Sequence, residues 1–396
     1  MQRDIEYDFN VPDGVREVIS RLCENRERAY IVGGSLRDML LLKEPHDFDL
    51  ASSAEPLRVC EIFSDMRVIK TGIAHGTVTV IVDGEPIEIT TFRVDGEYLD
   101  MRRPESVTFT RRIEDDLSRR DFTVNALAYN ESEGLVDLFG GLEDIKNKMI
   151  RAVGDPYERF REDALRIMRA FRFSAQLGFE IEKETLLAAG ALADRLSFIA
   201  KERIFSELVK LICSPYPEKP LTQMKELSVL EHALFEYSPS ERAISLLSRV
   251  EDDDISRLSV LFSDTDGATA RSLLSRLKAS GRQRGSVASV VDASKQNYSS
   301  REDVARLRSR LGSDAKLALR LSVLLENSSP EILELLNDDT PCSISELAIG
   351  GKDLIALGYH GKDIGEMLDF LLGEVIKNPA LNSKDELIKL VRSDVK

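Results

Sequence analysis

Apolar and polar positions alternate in short runs over the first 150 residues, and beyond them apolar residues recur every three or four positions. The runs Tyr30-Ile31-Val32, 77–82 and 86–92 are rich in β-branched side chains and are broken by Asp83-Gly84 and Asp95-Gly96. They predict a mixed sheet with flanking helices. From about residue 142 strand signals nearly vanish, and 162–177, 200–212 and 304–325 carry helical apolar spacing. The fold class that follows is α+β, with a sheet-containing head and helices after it. A polar stretch containing Gly and Ser at 280–301 interrupts the helical pattern and reads as a mobile connection or an exposed helix pair. No internal repeat is visible.

With 396 residues, 42% of them hydrophobic, the chain can bury a substantial core spread over two to four domains. Its 54 basic and 69 acidic side chains leave a net charge of −15. That excludes a partner held by bulk positive charge, so any nucleic acid must meet a local patch. Only residues 151–220 escape the acidic bias. Cys23, Cys60, Cys213 and Cys342 lie far apart, which suggests neither a zinc site nor a disulfide framework. The N-terminal residues carry no apolar signal region, and no apolar run reaches about 18 residues. A cytoplasmic protein without a membrane partner is expected.

The densest chemical signal is Tyr30-Ile31-Val32-Gly33-Gly34-Ser35-Leu36-Arg37-Asp38, followed by Asp47-Phe48-Asp49-Leu50. A strand running through two glycines into a helix lets backbone approach a phosphate closely, with helix N–H groups and Arg37 supplying positive charge. The bland alternative is an ordinary turn. Asp47 and Asp49, if both lie on one strand, share a face with Cα atoms about 7 Å apart. Their repulsion is what Mg²⁺, which prefers hard oxygen ligands, would remove. An Asp-x-Asp on a solvated edge is the alternative, and proximity of the two motifs favours the functional reading. Asp38, beside Arg37, reads as structural. Glu88, on Ile87-Glu88-Ile89, is either a further carboxylate facing the metal or an exposed position on a half-buried strand.

A second motif, Arg119-Arg120-Asp121-Phe122-Thr123-Val124-Asn125, follows Glu114-Asp115-Asp116. The arginines either answer those acids or, at Arg120, hold phosphate or sugar oxygens while Asp121 accepts from a ribose hydroxyl. The third motif spans Gly154 to Phe173. Ala164, Ile167, Met168, Phe171 and Ala175 form an apolar stripe, and Asp163 and Arg166 stand side by side on another face. They are either a surface ion pair or a reader of nucleotide bases. Cytosine and adenine present an amino donor beside a ring-nitrogen acceptor, the order complementary to a carboxylate next to a guanidinium, whereas guanine and uracil present the reverse. Arg169 and Arg172 continue the three-residue step, but each step turns about 60° away on a straight helix. For Arg172 to serve the same ligand it must reach round, or the helix must bend.

Together these motifs closely resemble the class II tRNA nucleotidyltransferase and poly(A) polymerase family, and within it the bacterial members that build the 3′ CCA end of tRNA from CTP and ATP. The resemblance runs through roughly residues 25–180. It implies Mg²⁺ at Asp47 and Asp49, nucleotide contacts at Gly34, Arg37 and Arg120, and base-reading and flanking positions at Asp163, Arg166, Arg169 and Arg172. It also implies a catalytic head over 1–145, a helical neck over 146–215, a body over 216–330 and a tail over 331–396 that grips tRNA. Gly350-Gly351-Lys352 and Gly361-Lys362 are similar to the tail of shorter bacterial members; glycine-lysine pairs at helix starts suit phosphate, although C-cap and turn glycines are the commoner explanation. Only His46, His75, His232 and His360 occur, so the family's histidine-rich phosphohydrolase extension is not expected. Residues 71–77 lack the arginine-rich stretch typical of poly(A) polymerases, which weighs against poly(A) synthesis. Asp95–Pro104 reads as a mobile loop and resembles the one that supports the switch from CTP to ATP. CC-adding relatives lack that loop and A-adding relatives keep it, so addition of A alone stays open.

Overall fold

The computed structural model describes residues 9–45, 47–95 and 107–394. The loop read at 95–104 therefore lies, from Gly96 onward, outside the described residues. The chain forms two compact units, Met1–Ser238 and Pro239–Lys396.

In the first unit the strands are β1 (Ala29–Val32), β2 (Asp49–Ser52), β3 (Arg67–Ile69), β4 (Thr77–Val82), β5 (Glu85–Thr91), β6 (Arg93–Asp95), β7 (Val107–Phe109), β8 (Leu127–Asn130) and β9 (Gly134–Asp137). Seven of them make one sheet in the order β3-β4-β5-β2-β1-β8-β9, while β6 and β7 pair apart as a ribbon. The sheet is mixed, as the sequence predicts: β2 and β5 run parallel and the other neighbours antiparallel. Asp83 and Gly84 both take positive φ, 51° and 89°, and so close the β4–β5 hairpin with the backbone twist such a two-residue turn needs. Tyr30, Val32, Ala51, Phe92, Leu117 and Ala128 are buried together against the sheet.

Helices α1 (Asp13–Glu24), α2 (Gly33–Leu40), α3 (Pro56–Ile62), α4 (Ile113–Ser118) and α5 (Gly141–Lys146) flank these strands in sequence. After them come α6 (Pro156–Glu162), α7 (Leu165–Leu177), α8 (Lys183–Ala191), α9 (Lys201–Ile212), α10 (Glu218–Glu226) and α11 (Val229–Ala233). Strand does not vanish entirely here, since Met149–Ile150 and Glu180–Ile181 pair in parallel. The periodicity of 162–177 predicts one helix, yet the structure breaks it at Asp163, whose φ of −139° and ψ of 102° are extended. Asp163 stabilises the break by accepting the Leu165 N–H at 3.0 Å, as an aspartate does at a helix start. The predicted apolar stripe survives intact, with Ala164, Ile167, Met168, Phe171 and Ala175 all buried.

The second unit holds α12 (Glu241–Leu246), α13 (Asp254–Leu261), α14 (Gly267–Arg276), α15 (Gly281–Ser294), α16 (Arg301–Leu311), α17 (Ala315–Leu324), α18 (Gly351–Ala356), α19 (Lys362–Lys377) and α20 (Lys384–Asp394). Two readings need correction. Residues 304–325 are not one helix, because Gly312 at φ 54° separates α16 from α17. Residues 280–301 are not a loose connection either. Ser280 and Gln283 form a reciprocal cap that starts α15, and Val287, Val290, Val291 and Ser294 make a buried stripe against α14 and α17. Near the C-terminus Leu354, Leu371, Val375, Leu387 and Val391 close a separate apolar cluster. Lys352 and Lys362 do stand at the starts of α18 and α19. No helix among the described residues is long and apolar enough to cross a membrane, and all four cysteines are free thiols.

Candidate active site

All three sequence motifs open onto one cavity of about 840 Å³ in the first unit. Strand β1 delivers Gly33, whose φ of 70° an L-residue would adopt only under strain. A Cβ there would press on Arg120 Nη1 at 3.3 Å and touch Asp49 Oδ2 at 4.0 Å, so the glycine packs closely between cation and carboxylate. The Ser35 hydroxyl donates to the Val32 carbonyl at 3.0 Å and fixes the turn. Arg37 is nearly fully buried; it donates to Asp38 at 2.8 Å and to Asn125 Oδ1 at 2.7 Å while still lining the cavity. Asp38 thus has the structural role read for it.

Asp49 opens β2, whereas Asp47 sits in the bend just before that strand, so the two do not share one strand face. Both nevertheless line the cavity. The parallel register sets Glu88 directly opposite Asp49, and Glu88 faces the same space. Burial raises the Asp49 pKa above the usual carboxylate range; Arg120 opposes this and the Asp47 charge adds to it. Two hard oxygen donors whose charges disfavour one another, with room for phosphates in front of them, fit a divalent cation whose remaining ligands a nucleotide would provide. Among the described residues no three His, Cys, Asp or Glu side chains group closely enough to hold a metal unaided.

In the second motif the arginines do answer the acids before them, and Arg120 also faces the cavity. The fully buried Asp116 accepts from Arg119 at 2.7 and 3.0 Å and from Arg120 Nη2 at 3.0 Å, yet Arg120 still lines the cavity with its Nε unpartnered. Asp121 is buried and occupied. Its Oδ1 accepts from the Phe122 N–H at 2.9 Å and from Asn125 at 3.3 Å, and its Oδ2 from Arg169 at 2.5 and 2.7 Å. Burial alone would raise its pKa, but Arg169 outweighs this and holds the carboxyl below its ordinary value. These contacts fill the acceptor sites that the ribose reading assigned to Asp121.

The expected side-by-side pair of Asp163 and Arg166 is not formed: the Arg166 N–H donates to the Asp163 carbonyl at 3.0 Å, but the two side chains take other partners. Asp163 instead accepts from Arg203 at 2.9 Å. Arg166 donates to Glu162 at 2.5 Å and to the carbonyls of Arg159 and Arg119 at 3.1 and 3.0 Å. Each is held by other partners and both line the cavity. Arg169 and Arg172 line it too, although both lie with Arg166 on the unbroken helix α7, so their side chains reach round it to the common space. Arg172 contacts Glu207 at 2.6 Å, and burial brings its pKa below the usual arginine value. Sequence reasoning missed Asp116, Asn125, Arg203 and Glu207. For Glu207 a signal existed: with Ile204, Leu208 and Leu211 it falls on the buried face of α9, where a lone carboxylate demands a partner.

Comparison with known proteins decides the family. The poly A polymerase head domain model matches residues 29–151, an RNA and SrmB-binding site model of polymerase A matches 178–239, and a tRNA nucleotidyltransferase domain 2 model matches 248–391. The CCA-adding enzyme of Ligilactobacillus salivarius is 36% identical over 408 residues, covering 96% of each chain. That of Enterococcus faecalis is 35% identical over 399 residues, covering 96% of this chain and 97% of its own. The chain belongs to the CCA-adding enzyme family. The Bacillus stearothermophilus member, solved in complex with CTP, superposes with a TM-score of 0.80 at 29% identity, covering 96% of this chain and 98% of that one. The Thermotoga maritima member solved with tRNA shares the fold, with a TM-score of 0.70 at 22% identity and coverage of 97% and 96%.

Proposed function

We propose that this chain is a template-independent tRNA nucleotidyltransferase that adds C, C and A to the 3′ end of tRNA from CTP and ATP, releasing pyrophosphate. The observation that carries the reading is that one cavity joins the Asp47 and Asp49 carboxylates, the arginines of all three motifs, and Asp163 with Arg166. Asp47 and Asp49 would hold Mg²⁺, which supplies activation of the 3′-hydroxyl and charge stabilisation at the phosphates. Gly33 and Gly34 let the nucleotide approach the backbone, and Arg37 and Arg120 bind its phosphates with N–H groups already oriented by Asn125 and Asp116. Asp163 and Arg166, each fixed by a neighbour, present an acceptor and a donor to the base edge shared by C and A. Asp121 acts by holding Arg169. Glu88 lies beside Asp49 and tunes the site. The family resemblance supports division into head, neck, body and tail over 1–145, 146–215, 216–330 and 331–396, with the helical second unit contributing to the grip on tRNA.

The test is incubation with tRNA lacking its last three nucleotides, with CTP, ATP, GTP and UTP supplied singly and together. Two C additions followed by A are expected, and shortening residues 95–104 should spare the C additions and cripple the A. Failure to add C, with efficient addition of A to tRNA ending in CC, would move the chain to the A-adding members.

A further inference from the structure

Phe173 stands where the three sequence motifs meet. The Arg172 guanidinium lies 3.8 Å from the centroid of its ring, that of Arg169 5.2 Å and that of Arg37 5.4 Å. The ring also meets Phe122 edge to face, with centroids 5.7 Å apart and planes at 79°. Arg37 belongs to the first motif, Phe122 to the second, and Arg169 and Arg172 to the third. Phe173 is itself only 5% exposed and borders the cavity. Arg37 pairs with its neighbour Asp38, whereas Arg169 and Arg172 pair with the distant Asp121 and Glu207.

Three like charges crowded round one point repel, and since each of these carboxylates forms an ion pair with only one of them, something further must gather the three. Another carboxylate would do so by consuming the N–H donors that a phosphate needs. An aromatic face attracts a guanidinium through the negative charge of its π-cloud and leaves the N–H edge free, whereas an aliphatic side chain of similar bulk offers no such attraction. We propose that Phe173 is a positioning residue that gathers Arg37, Arg169 and Arg172 into one cationic wall for the phosphates of the incoming nucleoside triphosphate. The inference rests on the nucleotide-transfer reading above.

Its test is equilibrium binding of CTP and ATP to the full chain, which needs no turnover, for wild type, Phe173→Leu and Phe173→Tyr. Leucine keeps apolar bulk and loses the ring, and tyrosine keeps the ring. The leucine variant should bind both nucleotides about tenfold more weakly and the tyrosine variant within about threefold of wild type. In turnover the leucine variant should raise KM with kcat changed far less. Unaltered binding by Phe173→Leu, or equal losses in both variants, overturns the proposal by making the ring a filler of volume. A cycle with Arg172→Lys supplies a second reading, with Phe173→Met in place of leucine should that variant fail to fold: coupling between the sites supports the proposal and strict additivity overturns it. Wild-type failure to incorporate either C or A into any tRNA end would overturn the nucleotidyl-transfer reading and is scored separately from binding.

Discussion

Asp116→Asn removes one charge from the centre of the second motif without changing its shape. One carboxylate oxygen becomes an NH₂ group facing a guanidinium, so Arg119 or Arg120 loses its acceptor. A hydrogen bond to a charged group contributes about 1.5–3 kcal/mol, and a buried charge left unpaired costs more. Both arginines keep 18% exposure, and water softens the loss. The expected destabilisation of the first unit is about 2–3 kcal/mol, which lowers the unfolding midpoint by about 4–12 °C for a unit of this size. A pH signature accompanies it. Although burial alone would raise it, Arg120 and Arg119 bring the Asp116 pKa below its ordinary value. A depressed folded-state pKa contributes stability that is full above the unfolded value of about 3.9 and is lost as pH falls through the folded value. The acid limb of stability should therefore be shallower in Asp116→Asn than in wild type. Circular-dichroism melts from neutral to acid pH measure both effects, and KM for CTP should rise because Arg120 loses its anchor. A midpoint within about 1 °C of wild type with an unchanged acid limb would refute the anchoring argument.

Asp47→Ala or Asp49→Ala should abolish nucleotide incorporation with the fold intact by circular dichroism, Glu88→Gln should be milder, and near-normal turnover by either alanine variant with Mg²⁺ present would remove the metal assignment. Asp163→Ala or Arg166→Ala should relax rejection of UTP and GTP, a discrimination that polar base contacts can raise to about 10⁴-fold. Arg203→Met should relax it to a lesser degree, and misincorporation assays showing unchanged base choice would mean that its 2.9 Å contact does not orient Asp163.

Much of the head was legible because its local signals agree with its global arrangement. Strands β4 and β5 alternate cleanly and are joined by an Asp-Gly that tolerates positive φ, and the double glycine after β1 supplies the positive φ taken at Gly33. The break at Asp163 was hidden, since apolar spacing continues across it undisturbed and a capping aspartate looks the same as one on a helix surface. The partners of Asp163 and Arg166 were hidden for a different reason. Arg203 lies forty residues away and is recruited by tertiary packing of α7 on α9, which period counting cannot see. Asp116 was one of three adjacent acids, and only burial distinguishes it. The segment at 280–301 was misread because its polar residues dominate composition, while the buried positions that decide its packing are clustered between Val287 and Ser294.

Strand β1, flanked by β2 on one side and β8 on the other, has a bearing on how the protein is made. Its four residues are all buried, and its second partner arrives about a hundred residues later, at Leu127–Asn130. A chain that has emerged from the ribosome only as far as β7 offers β1 as a bare apolar edge, the kind of edge that recruits strands from other molecules. Synthesis past residue 130 is what closes it, so pausing or truncation between β7 and β8 leaves this edge open to aggregation before the cavity is complete.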